Sequence, residues 1–204
     1  AERAFARVLY ATHPYGHLSL GSERALTAMT VDAARAMHAA LFTPAGATLV
    51  IVGDRTEGQL LDAAAARFDS WRAAASTMTI DRAAGLAPPP PPREALVVIH
   101  RAGAAQSELR IGHICAPRST PDYPKLLVLN TILGGSFTSR LNQNLREEHG
   151  YSYGASSRFD MRLSPGAFQA GAGVQTDKTA ESLREFFKEL KGIGAPVSET
   201  ELAK

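Results

Sequence analysis

Residues 133–157 read LGGSFTSRLNQNLREEHGYSYGASS, and the order of parts in this stretch decides the fold. Leu126, Leu127, Leu129, Asn130 and Leu133 lead into it at helical spacing, after Asp122 and with Pro124 at an early helical position that tolerates a missing N–H. The Gly134-Gly135 pair predicts the end of that helix as a cap. Thr138 or Ser139 starts another helix, predicted to close near His149-Gly150. An aromatic-rich start at Tyr151 then predicts a strand over 151–163. Ser164-Pro165-Gly166 is its turn, and 167–174 its hairpin partner.

Outward from this stretch, Leu183, Phe186, Phe187 and Leu190 predict a helix that ends at Gly192. Upstream, 96–100 and 109–115 read as two strands. A strand pair followed by helices and then a hairpin predicts an α+β fold, an antiparallel sheet packed by helices. Pro88 to Pro92 are five consecutive prolines, which neither pair in a sheet nor continue a helix and favour extended polyproline II. Residues 74–94 are therefore expected to be an interdomain linker, a spacer rather than a ligand for an aromatic groove.

Before the linker, Phe5, Val8 and Leu9 mark the tail of a helix that His13-Pro14-Tyr15-Gly16 breaks. Thr30 caps a helix to about 42, with Val31, Ala34, Met37, His38 and Leu41 on one face, and Pro44 ends it. Residues 48–52 form a continuous apolar run rich in β-branched side chains, expected as a buried strand. Gly53-Asp54 turns the chain into an amphipathic helix through Leu60, Leu61, Ala64 and Phe68 towards Trp71. At the other end, Ser198 and Glu201 have capping-box spacing, and the sequence stops at Lys204, inside what reads as a new helix. Both ends look cut, so the sequence is expected to be a piece of a longer protein.

Of the 204 residues 45% are hydrophobic and 21% charged, an ordinary soluble globular balance that fits one large or two small domains. The net charge of +2 gives neither a nucleic-acid footprint nor a polybasic membrane patch. No apolar run approaches the ~20 residues of a membrane span. The single cysteine, Cys115, rules out an intrachain disulfide framework and is expected as a buried, inert thiol. A compartment is not assigned; cytoplasm and periplasm are both open for a bacterial protein.

Leu133-Gly134-Gly135, Ser139-Arg140-Leu141, Leu145-Arg146-Glu147 and Tyr151-Ser152-Tyr153-Gly154 resemble the second half of M16 zinc peptidases, the insulinase, pitrilysin and processing-peptidase class. His13-Pro14-Tyr15-Gly16 and Val52-Gly53-Asp54, with Trp71 after them, resemble the same family and stand in the expected order. The resemblance covers nearly the whole chain. It implies two similar αβ units: 1–73 as the tail of the first, 74–94 as the linker, and 95–204 as the first and middle part of the second. It also implies a zinc site built on His-x-x-Glu-His plus a distant Glu, in which two imidazoles and a carboxylate hold the metal and the motif Glu activates water.

That motif is absent in both directions. The nearest decoy, Leu145-Arg146-Glu147-Glu148-His149, has Leu at the first ligand position. His13 and His17 are four apart, but Pro14 and Gly16 deny them a shared helix, and a turn with surface histidines is favoured. His38, His100 and His113 stand singly in apolar periodicities and read as packed or hydrogen-bonded. Gly134-Gly135 is not followed by a phosphate-loop Lys. The Gly loop is also short, unlike the long glycine-rich loop of the non-catalytic subunit of mitochondrial processing peptidase. No metal ligand is therefore assigned in this chain, and the resemblance places Zn2+ elsewhere in a full-length enzyme or on a partner subunit.

The resemblance leaves Arg146 and Tyr153, an Arg and a Tyr seven residues apart that in the family face the zinc site. Arg146 is the substrate-binding candidate, a permanent cation with directed donors for backbone carbonyls. Tyr153 is the catalytic candidate, a phenol able to donate to a developing oxyanion. Tyr151, two residues earlier on one predicted strand face, is a further substrate-binding candidate and the rival of Tyr153. The bland alternative is a surface Arg paired with Glu147 or Glu148 and an ordinary strand Tyr. The expected function is the substrate-holding, non-zinc portion of a zinc metalloendopeptidase that acts on peptides or unfolded polypeptides, itself inactive. The alternatives are a catalytically silent M16-like subunit, acting as structural or peptide-binding partner of a zinc-bearing one, and a plain peptide-binding module. A homodimer or an M16 partner subunit would supply the second half.

Overall fold

Three segments build one antiparallel sheet: β1 (Gln106–Ile114), β2 (Ser152–Asp160) and β3 (Ala167–Gln175), in the order β1-β3-β2. The structure is a computed structural model and describes residues 1–72, 87–91 and 94–202. β3 is central, with Leu109 opposite Ala172 on one side and Phe159 opposite Phe168 on the other. Phe168, Ala170, Ala172 and Val174 point to one face and are buried, and the residues between them point to the other.

The buried face is covered by α5 (Tyr123–Asn130), the short α6 (Arg140–Asn142) and α7 (Thr179–Gly192). Leu133, Leu141, Leu145, Ala155 and Phe186 join the β3 side chains in one core, with Leu109, Ile111 and Phe159 packed against it. Leu141, Leu145 and Phe186 have no exposed surface, each contributing about 1.5–3 kcal/mol of hydrophobic stabilisation.

The sheet, the hairpin and the covering helices match the α+β expectation, with local differences. α5 runs into one π-helical turn, Thr131–Gly135, and α6 into another, Gln143–Glu148. The Gly pair is not a left-handed cap: neither glycine has a positive φ. A Cβ on Gly134 would lie 2.4 Å from the Ser157 nitrogen, so this glycine serves the close approach of the π turn to β2. The left-handed stop falls at Gly150, φ 64°, after the second π turn. β2 is shorter than the expected 151–163 and carries a bulge between Ser152 and Ala155.

On the other sheet face lies α1 (Glu2–Tyr10). The Glu2 carboxylate accepts from Arg110 Nε at 3.0 Å and from Gln169 Nε2 at 2.9 Å. Phe5 occupies the space over Gly112, where a Cβ would be 2.8 Å from its ring. Contacts accordingly group Ala1–Ser19 with Leu86–Lys204, and Leu20–Gly85 as a second compact unit. This grouping differs from the sequence segments 1–73 and 95–204.

The second unit holds α2 (Glu23–Thr27), α3 (Val31–Leu41) and α4 (Glu57–Phe68). Thr30 Oγ1 caps α3 by accepting from the Ala33 N–H at 3.1 Å. Thr56 and Gln59 form a reciprocal capping box on α4. Residues 48–52 are not a buried strand: Leu49, Val50, Ile51 and Val52 are exposed and no described strand lies beside them. The same holds for 96–100, where Leu96 to Ile99 are exposed. Strand composition alone does not make a strand; a ladder partner does. Most of the expected linker, residues 74–86 and 92–93, lies outside the described residues.

Candidate functional site

The two π turns decide where the candidate side chains stand. Leu145, inside the second π turn, is fully buried in the core, which sets the rotation of the turn and leaves its neighbour Arg146 half-buried at the surface. A buried Asn144 fastens the same turn to α7, its Nδ2 donating to Glu185 Oε2 at 2.8 Å and to Glu189 Oε1 at 2.7 Å. These bonds hold the Glu185 carboxyl below its usual range, Asn144 being the largest cause and Lys188 the next. π-helical turns of this kind recur at functional sites because they displace one side chain from the regular helical face.

Arg146 and Tyr153, candidates from the sequence, are brought together. The Arg146 guanidinium carbon lies 5.2 Å from the centre of the Tyr153 ring, within cation–π range. Its other ring partner is Phe137, at 4.4 Å. Arg146 Nε also pairs with Glu147 Oε1 at 3.2 Å, the bland pairing, which coexists with both ring contacts. Tyr153 is 86% exposed and Phe137 62% exposed, so two aromatic rings and a guanidinium form one open patch.

Tyr151 lies just before β2, which begins at Ser152 and carries a bulge between Ser152 and Ala155. Its ring stacks on His149, with centroids 4.9 Å apart and planes 14° apart.

Phe137 and Asn142 are site neighbours that the sequence reading did not identify. Asn142 is buried beneath the patch, and its Nδ2 donates to the Phe137 carbonyl at 2.7 Å. Neither residue belongs to a motif, and only the folded geometry brings them to Arg146.

A separate polar cleft of about 330 Å³ lies on the far side of the second π turn, its lining including Ser136, Arg140, Asn144, Glu148 and Glu189. Arg146 and Tyr153 are not among its lining residues. Arg140 is committed to structure there: Nε and Nη2 donate to the Glu201 carboxylate at 2.7 and 2.9 Å, and Nη1 to the Gly192 carbonyl at 3.1 Å. The charge-assisted pair holds the Glu201 carboxyl down to about 2.

Zinc does not fit the residues described. No group of three or more His, Cys, Asp or Glu among them is arranged to hold a metal ion. His13 is buried, not a surface histidine; Nδ1 accepts from the Tyr15 N–H at 3.1 Å and Nε2 donates to the Ala87 carbonyl at 2.9 Å. His38 is exposed and stacks on Phe42. His113 is also exposed, with Nδ1 2.8 Å from the Ile114 carbonyl. Cys115 is half-buried, and burial pushes its thiol up, which disfavours the reactive thiolate. Among the described residues no helix is long and apolar enough to cross a membrane.

The peptidase M16 inactive domain profile matches residues 28–204, and the chain belongs to that family. It is 24% identical over 208 residues to an uncharacterized zinc protease of Mycobacterium leprae, covering 98% of this chain and 45% of that protein. It is 27% identical over 202 residues to the uncharacterized zinc protease YmxG of Bacillus subtilis, covering 98% of this chain and 47% of that one. The chain thus spans about half the length of the curated relatives it matches. In fold it is similar to a crystal structure of a peptidase M16 inactive domain from Pseudomonas fluorescens, with a TM-score of 0.83 at 24% identity over 100% of this chain and 48% of that one. A protease from Helicobacter pylori follows at a TM-score of 0.80 and 20% identity, over 98% of this chain and 48% of that one.

Proposed function

We propose that this chain is the substrate-holding, zinc-free portion of a zinc metalloendopeptidase that acts on peptides or unfolded polypeptides. The observation that carries the reading is the Arg146–Tyr153 contact, a cation and a phenol held together on an open face by two different elements. In this reading the Arg146 fork donates to substrate backbone carbonyls, for which its planar donors are suited. The Tyr153 hydroxyl donates to the oxyanion that develops on the attacked carbonyl. An open patch holds no chamber by itself, so the metal-bearing face comes from the rest of a longer protein, a second copy, or an M16 partner subunit. The names of the relatives, zinc proteases of about twice this length, support that division of labour.

In the same proposal, 1–73 is the tail of a first αβ unit, 74–94 the linker, and 95–204 the N-terminal and middle part of the second. The competing reading is a catalytically silent partner, in which the patch binds polypeptide and contributes nothing to the chemical step.

The test is an NMR titration of the chain with an unstructured peptide. The proposal expects saturable shifts centred on Arg146 and Tyr153, weakened by Arg146→Ala. Shifts that ignore Arg146→Ala, or none at all, sink it. The silent-partner reading is separated by turnover of the zinc-bearing assembly, where only the enzymatic role makes Tyr153→Phe slow.

A further inference from the structure

One buried amide reaches both elements of the patch. Asn142 is 4% exposed and sits at the end of α6. Its Nδ2 donates to the Phe137 carbonyl at 2.7 Å, in the loop before α6. Its Oδ1 accepts from the Ala155 N–H at 3.3 Å, at the end of the β2 bulge that carries Tyr153. The side chain is read in the only orientation that satisfies both neighbours, since a carbonyl needs a donor and an N–H needs an acceptor. Ser152 and Ala155 flank the bulge; Ala155 stands opposite Ala172 in the ladder, and its N–H is taken by the amide oxygen of Asn142.

The geometry points to Asn142 as a positioning residue of the site, which fixes the Phe137 loop and the Tyr153 bulge together so that the Phe137 ring forms a platform for the Arg146 guanidinium. A planar cation on a flexible stem keeps one orientation when a ring face lies against it, and that face is offered at 4.4 Å. Phe137 is itself in a loop, so the ring stays there only while its backbone is held. The buried Asn142 bond supplies that hold, shielded from competing water. Neither residue touches substrate in this account. Both act through Arg146 and Tyr153, and their importance for peptide rests on the function proposed above.

The experiment is side-chain NMR on the whole chain, read in three places. In the wild type, the Asn142 Nδ2 protons exchange at least roughly tenfold more slowly than those of an exposed amide. The Arg146 side-chain protons carry ring-current shifts that Phe137→Leu abolishes. In Asn142→Asp at neutral pH, the introduced carboxylate cannot donate to the Phe137 carbonyl, and the Arg146 shifts move towards the Phe137→Leu values. They return on acidification, when the protonated carboxyl regains a donor. Methyl signals of Leu141 and Val174 report that the core is intact throughout. Fast exchange of the Asn142 amide, or wild-type Arg146 shifts in either variant, overturns the proposal. If Asn142→Asp does not fold, the wild-type exchange and Phe137→Leu measurements still decide it. Peptide titration is a separate arm: intact positioning with no peptide binding overturns the functional reading and leaves the positioning role standing.

Discussion

The Arg146 guanidinium lies against the Tyr153 ring at 5.2 Å, although one comes from a π-helical turn and the other from a strand bulge. A shared ring contact makes the two side chains one unit, so a change at either is felt by the other. Arg146→Ala removes a charged donor and the stacking partner together. We expect peptide affinity to fall by about 1.5–3 kcal/mol, the range for hydrogen bonds to charged groups. Arg146→Lys keeps the charge but not the planar fork, and should recover only part of the loss. Calorimetric titration with one unstructured peptide checks the order wild type, Lys, Ala.

In a zinc-bearing assembly that contains this chain, Tyr153→Phe removes one donor and keeps the ring that Arg146 stacks on. Loss of an oxyanion donor lowers kcat by about 10²–10³, and kcat/KM with it. Tyr151→Phe should be mild, because that ring is stacked on His149 and not on Arg146. Steady-state kinetics on both variants, with zinc content as control, give the answer. A crippling Tyr151→Phe beside a silent Tyr153→Phe would mean the register of the site is wrong.

The described residues offer no metal group, and the purified chain should accordingly carry no stoichiometric tight zinc. Elemental analysis after dialysis measures this. Chelator-sensitive peptide hydrolysis by the pure chain would contradict the assignment of the metal to another part or partner.

Gly134→Ala tests why the Gly pair is there. The new Cβ would meet the Ser157 nitrogen and hydroxyl oxygen at 2.4 Å, atoms of β2 and a clamp that cannot swing aside. Ser157 Oγ donates to Asn130 Oδ1 at 2.8 Å, and Asn130 Nδ2 donates back to the Ser157 carbonyl at 3.1 Å. Overpacking at such a contact costs about 1–3 kcal/mol. Urea unfolding should show a lower midpoint; an unchanged midpoint would mean that the π turn moves off β2 freely.

The Arg140–Glu201 pair ties α8 (Glu199–Leu202) to the end of α7 and to α6. The Glu201 carboxyl titrates at about 2 in the folded chain, below its ordinary value, chiefly through the Arg140 hydrogen bond and then the Ser198 backbone. A carboxyl whose folded value is depressed contributes its full stabilisation above the ordinary carboxylate range. That contribution is lost as pH falls towards the folded value. Backbone NMR of α8 should therefore show docking retained to about pH 4 and lost on the way to about pH 2. Glu201→Gln should weaken the docking at neutral pH and flatten this dependence. A docking that survives unchanged at pH 2 would show that Glu201 is not what holds α8.

Much of the fold was written locally. The Ser164-Pro165-Gly166 turn and the alternation on either side of it are short-range signals, and β2 and β3 form around them. Thr30 capped its helix, and the Ser198–Glu201 box was legible from spacing and is made, with each backbone N–H bonded to the other's side chain at 3.3 Å. Residues 48–52 and 96–100 were misleading for one reason. Their composition states a preference for a strand, but a strand exists only when a second chain segment lies alongside it. That partner is a tertiary fact, and none is present among the described residues.

The site divides in the same way. Arg146 and Tyr153 were reached by the seven-residue spacing of a family resemblance, which is information held in the sequence. That their side chains touch, that Tyr151 turns instead to His149, and that Phe137 and Asn142 stand beneath and beside them were decided by two π turns and a bulge. Each of these irregularities adds a residue to a regular period and re-aims the side chains that follow. Sequence periodicity assumes the regular repeat. The choice to break it was made by burial of Leu141 and Leu145 against the sheet, because the core fixes which residues of the helical segment must face inward.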